Sequence, residues 1–159
     1  MIRSVVELEL AECLEVINKG YKTVADQFGL NDDNCPDSGG ATLKYEKLLG
    51  SYNKGNKMFA YFLDEKVVGF LEFHIVDNST IKIGDIVVLP QYRDIGIGTE
   101  LLNYSKRFCK HNGFTKLTLG MINDNIMLKK WYIKNGFYEC HTFKYPKAPF
   151  TTGYMEMII

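Results

Sequence analysis

The chain has 159 residues, 46% hydrophobic, 13% aromatic and 24% charged, which is the balance of one globular domain and excludes disordered, collagen-like and membrane-spanning classes. Lys and Arg together number 19, as do Asp and Glu, so the formal net charge is zero and no overall basic field exists to hold a nucleic acid. Residues 1–80 carry 8 basic and 13 acidic side chains and residues 81–159 carry 11 and 6, a split that suits an anionic ligand on the second half and equally an ordinary polarised surface.

Ile2–Val6 reads as a short strand, and Leu10, Leu14, Ile17, Tyr21, Val24, Ala25 and Phe28 then recur at helical spacing. From Gly29 to Ala41 the composition turns to Asn, Asp, Pro, Ser and Gly, which reads as a loop. Thr42 is placed to cap a second helix with Leu43, Tyr45, Leu48 and Leu49 on its apolar side and its end at Gly50. Met58–Leu63 and Val67–Val76 form a predicted hairpin around Asp64-Glu65-Lys66, and a third strand runs from Thr80 to Leu89, stopped by Pro90. Ile97, Leu101, Tyr104 and Phe108 mark one face of a helix closed by Asn112-Gly113. A strand at Lys116–Met121, a short helix at Ile126–Asn135 and two strands at Phe137–Tyr145 and Gly153–Ile158 complete the order βααβββαβαββ. The fold class is α+β, a mostly antiparallel mixed sheet with one β–α–β crossover after Pro90, in a single domain over residues 1–159.

Cys13, Cys35, Cys109 and Cys140 form no C-x-x-C pair, so free thiols in a reducing compartment are expected. Glu7 and Glu9 interrupt the apolar run that a secretory signal needs, and a cytoplasmic location is expected. His74, His111 and His141 stand singly, which offers no metal site. The apolar end Tyr154–Ile159 is a candidate strand for pairing across a homodimer.

The stretch from Ile86 to Thr99 carries the most chemistry. A strand enters a turn with Gly96 and Gly98 at alternate positions and a helix starts at once, so backbone N–H groups point outward at the positive end of the helix dipole. Such a turn cradles a phosphate, to which Arg93 adds charge and Thr99 a hydroxyl. No Lys-Ser or Lys-Thr pair follows the glycines and Leu101 stands where a dinucleotide fingerprint needs a third glycine, so the two commoner phosphate loops are excluded.

Arg93-Asp94-Ile95-Gly96-Ile97-Gly98, after a strand ending Val88-Leu89-Pro90, resembles motif A of the GNAT superfamily of N-acetyltransferases, Arg/Gln-x-x-Gly-x-Gly/Ala. Asn125 to Phe137 is similar to motif B of that superfamily, Asn-x-x-Ala-x-x-x-Tyr-x-x-x-Gly-Phe, with Asn125, Tyr132, Gly136 and Phe137 in place and Leu128 where alanine is usual. The resemblance implies a GNAT-like sheet splayed at the cofactor strand, acetyl-CoA as acyl donor, and transfer to a primary amine of a small molecule or peptide by direct attack in a ternary complex. It implies pantetheine on the backbone of Ile86, Val87 and Val88, and pyrophosphate on the amides of Arg93, Asp94, Ile95, Gly96, Ile97, Gly98 and Thr99. Asn125 would contact the cofactor and Tyr132 would protonate the leaving thiolate. Some GNAT enzymes carry a glutamate twelve positions before that tyrosine, where this chain has Gly120. Asp85 and Glu72 are therefore the candidate bases, and Glu72 shares strand parity with His74. The missing glutamate also keeps open a CoA-binding regulatory domain without turnover. No nucleic-acid or membrane partner is expected.

Overall fold

The computed structural model describes residues 1–159. Its strands and helices are β1 (Ile2–Ser4), α1 (Leu10–Phe28), α2 (Tyr45–Asn53), β2 (Lys57–Leu63), β3 (Lys66–Ile75), β4 (Thr80–Val88), α3 (Ile97–Asn112), β5 (Lys116–Ile122), α4 (Ile126–Lys134), β6 (Tyr138–Phe143) and β7 (Thr152–Ile158). This is the order the apolar periodicities predict. Glycines in the left-handed region stop the two long helices, Gly29 at φ 64° and Gly113 at φ 77°.

The strands form one sheet in the order β1-β2-β3-β4-β5-β7-β6, antiparallel throughout except for β4 and β5. α1 and α2 cover one face around Leu10, Ile17, Leu48, Phe70 and Val87, while α3 and α4 cover the other around Leu71, Phe73, Ile81, Leu101, Leu117 and Met155. Cys13, Cys35 and Cys109 are buried, and all four thiols are free. Burial pushes the Cys109 thiol up to about 11, which makes it a small core hydrophobe and not a nucleophile.

Two expectations are corrected. The second helix starts at Tyr45 and runs through Gly50 to Asn53, because the Thr42 hydroxyl donates to the Asp32 carboxylate instead of capping, and Gly50 sits in open space where a helical glycine costs only about 1 kcal/mol. β7 is not an edge strand over Thr152–Glu156, where β5 and β6 flank it on both sides; only Met157 and Ile158 lack a neighbour on the β6 side, and the outer strand is β6.

Two irregularities shape the middle of the sheet. β4 and β5 pair only over Thr80–Lys82 with Lys116–Thr118, and the strands then part, leaving the second half of β4 without a neighbour on that side. The β3–β4 register also slips, with Phe73 opposite Ile83 but Glu72 opposite Asp85, so Gly84 is an extra residue. Ile81 and Ile83 face the α3–α4 core, whereas Val87, of the same parity, packs against α1. One inserted residue has turned the strand's faces over, and with them Asp85.

Candidate active site

Where β4 and β5 part, a cleft of about 1000 Å³ opens. Asp94, Gly96, Gly98, Thr99, Asn125 and Trp131 line it from the α3–α4 side, and Tyr21, Gln27, Lys82, Asp85, Phe150 and Tyr154 line it elsewhere.

The Leu89 N–H donates to Val68 O on β3. By antiparallel alternation the Val87 peptide groups also face β3, and those of Ile86 and Val88 face the cleft. Of the three residues expected to offer backbone there, Val87 is thus turned away. Past β4, Asp94 at φ 62° and Gly96 at φ 96° both take left-handed conformations, which curl the chain so that successive amides converge. The first N–H of α3 with an acceptor in its own turn is that of Glu100, bonded to Gly96 O, which leaves the amides of Ile97, Gly98 and Thr99 as helix-start donors. A Cβ on Gly98 would stand 3.2 Å from Trp131 Cζ2, so glycine there brings the α3 start against α4.

Arg93 is spent otherwise. Its N–H donates to Pro90 O, its Nε to Val88 O at 3.1 Å, its Nη1 to Thr23 Oγ1 at 2.9 Å and its Nη2 to Gly20 O at 2.8 Å. The guanidinium ties α1 to the end of β4 instead of offering free charge to a phosphate. At that contact a Cβ on Gly20 would lie 2.1 Å from Val87 Cγ1, so only glycine lets the helix sit this close. Asn125 caps α4, its Oδ1 accepting from the Leu128 N–H at 3.4 Å, and still lines the cleft.

The helix placed by Gly20 and Arg93 presents Tyr21, whose hydroxyl donates to Asp85 Oδ1 at 2.7 Å and lies within reach of the Ile86 amide. The sequence reading counts Tyr21 as one more core position of an amphipathic helix, and nothing in its spacing sets it apart. Gly40, at φ 109°, presses on its ring, with room for no Cβ. Burial pushes the Tyr21 phenol up, as do the charge and hydrogen bond of Asp85.

Asp85 lines the cleft and its carboxyl is pushed up to about 6, mainly by burial and further by Glu72, against the hydrogen bond from Tyr21 that lowers it. Glu72, its cross-strand register partner, raises the Asp85 carboxyl further but is buried behind the cleft and does not line it. Tyr132 is buried against Trp131 and Phe137, lines the cleft, and has its phenol raised by burial and by the Asp85 charge. Gly120 lines the cleft without a side chain. Asp32 and Asp37, in the loop between α1 and α2, do not line it: Asp32 accepts from Ser38 and Thr42, and Asp37 pairs with Lys47. No group of three or more His, Cys, Asp or Glu side chains is placed to hold a metal, and no helix is long and apolar enough to cross a membrane.

A splayed mixed sheet with free helix-start amides at one end of its cleft and a half-buried carboxyl within it defines an acyltransferase-type fold. The model of the acetyltransferase (GNAT) family matches residues 26–137, and the chain belongs to that family. Streptothricin acetyltransferase A of Bacillus subtilis (strain 168) is 32% identical over 84 residues, 53% of this chain and 49% of that protein, so the chain spans about half the length of this curated relative. Among solved structures, the ribosomal-protein-S18-alanine N-acetyltransferase from Escherichia coli superposes with a TM-score of 0.78 at 16% identity, covering 100% of this chain and 93% of that one. The PaiA N-acetyltransferase from Thermoplasma acidophilum, in complex with coenzyme A, gives 0.77 at 20% identity, covering 100% and 98%. Both share the fold.

Proposed function

We propose that the chain is an N-acetyltransferase that carries the acetyl group of acetyl-CoA to a primary amine of a small molecule or peptide by direct attack in a ternary complex. The observation that carries the reading is the single cleft that has the α3 amides along one part of its wall and Asp85 along another. The amides from Asp94 to Thr99 fit a pyrophosphate, and the Ile86 carbonyl, on the cleft side of β4, fits a pantetheine arm, while the Val88 carbonyl already accepts from Arg93 Nε. Acetyl-CoA supplies an activated acyl group there. Asp85 takes the proton of the acceptor ammonium, the Val88 N–H faces the oxygen on which charge develops, and Tyr132 gives its proton to the departing sulfur.

The two proton transfers assist each other. Tyr132 is held neutral partly by the negative charge on Asp85. Once Asp85 has accepted the amine's proton that charge is gone, and a phenolate at Tyr132 becomes easier to form. Asp85 thereby takes the part that Gly120 cannot.

Calorimetry with acetyl-CoA, CoA and ATP tests the binding half, and acceptor-dependent thiol release tests transfer. Streptothricin and a peptide beginning with alanine, after the acceptors of the Bacillus subtilis and Escherichia coli enzymes above, and an aminoglycoside as a further polyamine are the probe amines. Saturable binding of both CoA species and thiol release with at least one amine are expected. Displacement of CoA by ATP would refute the cofactor assignment. CoA binding with no thiol from any amine would leave a CoA-binding domain without turnover.

A further inference from the structure

Glu72 is an acid at 4% exposure outside the cleft, a position that burial penalises unless the group is paired. Its Oε1 accepts from Ser51 Oγ and from Asn56 Nδ2 at 3.2 Å, and these two donors would suffice for a structural tie. A third group is nevertheless brought to the same oxygen. His74 Nε2 stands 3.1 Å from Oε1, buried and off the line of a hydrogen bond, with no other partner. Two lone-pair bearers at this distance attract only with a proton between them. The imidazole owes its place to Gly84, where a Cβ would lie 2.8 Å from Nε2 and 3.1 Å from Cε1. The His74 side chain is still 42% exposed, so the ring edge away from Gly84, which bears Nδ1, meets solvent.

We propose that Glu72 and His74 are the proton outlet of the site, carrying a proton from Asp85 across the β3–β4 pair to solvent. The proposal rests on Asp85 being the base, as above. The N–H bond of the ammonium breaks as an O–H bond forms on Asp85. The proton passes to the neighbouring Glu72 carboxylate and then to His74 Nε2, the imidazolium releases its Nδ1 proton to water, and the ring regains its Nδ1–H tautomer by proton exchange with water before the next turnover. One proton leaves the amine and one reaches solvent, and Asp85 is an anion again. The groups facing this path are Tyr21 from α1, Tyr132 from α4, Ser51 from α2, Asn56 from the turn before β2, and exposed Lys82, the register partner of His74. Glu72 and His74 touch no substrate in this reading and are positioning residues of the reaction.

The test is 15N NMR of histidine-labelled full chain, with His74 assigned by its loss in His74→Asn. In the wild type the His74 15N shifts carry an added step as the pH passes through about 6, where Asp85 titrates. That step is lost in Glu72→Gln and in Asp85→Asn. Identical His74 curves in all three proteins would overturn the outlet. In thiol release with streptothricin as the probe amine, His74→Asn is expected to lower kcat about tenfold with KM for acetyl-CoA unchanged, and added imidazole to restore it. Unchanged turnover, or a loss that imidazole does not restore, would also overturn it. The NMR measurement needs no acceptor, so thiol release that stays silent with every amine refutes transfer and leaves the coupling of the three groups to be decided by the shifts.

Discussion

Replacing Asp85 by asparagine is expected to stabilise the protein increasingly as pH rises while removing its activity. Burial, then the Glu72 carboxyl, lift the Asp85 pKa from 3.8 to about 6. For an acid raised in the folded state, the stabilising contribution is complete below the unfolded value and is lost as the pH climbs through the folded one, above which the buried anion is a net cost. A difference of about 2 at roughly 1.4 kcal/mol each corresponds to about 3 kcal/mol. Asp85 lines an open cleft and is only half-buried, so water screens part of this, and about 1–2 kcal/mol is the working figure. Asparagine keeps an oxygen for the Tyr21 hydroxyl and the same volume. For a chain of this size each kcal/mol moves Tm by about 2–4 °C, so the variant's advantage should grow by about 2–8 °C between about pH 4 and about pH 7, the window that the unfolded 3.8 and the folded value of about 6 define. Thermal melts of both proteins across that range read the gap. A gap that stays constant, or a variant less stable at the upper end of that range, would show that Asp85 carries no burial penalty. In the same buffers the variant should lose at least about 100-fold in kcat/KM, and wild-type transfer should rise through about pH 6 as the carboxyl ionises.

Tyr132→Phe should lower turnover at least about tenfold with acetyl-CoA affinity little changed, and unchanged turnover would remove its role as acid. Gly98→Asp should abolish CoA binding by calorimetry, since its side chain must enter the amide cradle or the contact with Trp131; retained binding would mean that the pyrophosphate lies elsewhere. Arg93→Ala removes the donors to Gly20 O, Thr23 Oγ1 and Val88 O and should cost about 1–3 kcal/mol of stability by denaturant titration. A loss of CoA affinity without that destabilisation would instead return the guanidinium to the phosphate.

The element order was legible because each segment carries a local signal: apolar residues at spacings of 3 and 4 in α1 and α3, left-handed glycines after both, and β-branched runs broken at Asp64-Glu65 and Asp77-Asn78-Ser79. The Gly96 and Gly98 turn was legible for the same reason. What the sequence concealed depends on tertiary competition. Thr42 has the chemistry of a cap, and only the fold shows that Asp32 takes its hydroxyl. Arg93 beside a glycine turn reads as a phosphate ligand until α1 is seen to bring Gly20 O and Thr23 Oγ1 to it. Tyr21 carries no mark that separates a cleft residue from a core one. The parity that joins Glu72 to His74 is local and survives in the contact between them.

Gly84 explains why Asp85 faces Glu72. Strict alternation from Ile81 and Ile83 would drive Asp85 into the apolar core beneath α3, a site no unpaired carboxylate tolerates. An isolated glycine within a β-branched run is the available signal of a bulge, and here the slip puts Asp85 opposite Glu72 on the side of α1. The same missing Cβ admits the His74 ring. Because the bulge lies beyond the three residues over which β4 and β5 pair, the slip disturbs no second ladder, and it falls where the strands have already parted. The splay that opens β4 backbone to a ligand and the bulge that aims its carboxyl are therefore compatible on one strand, each confined to the stretch that the other leaves free.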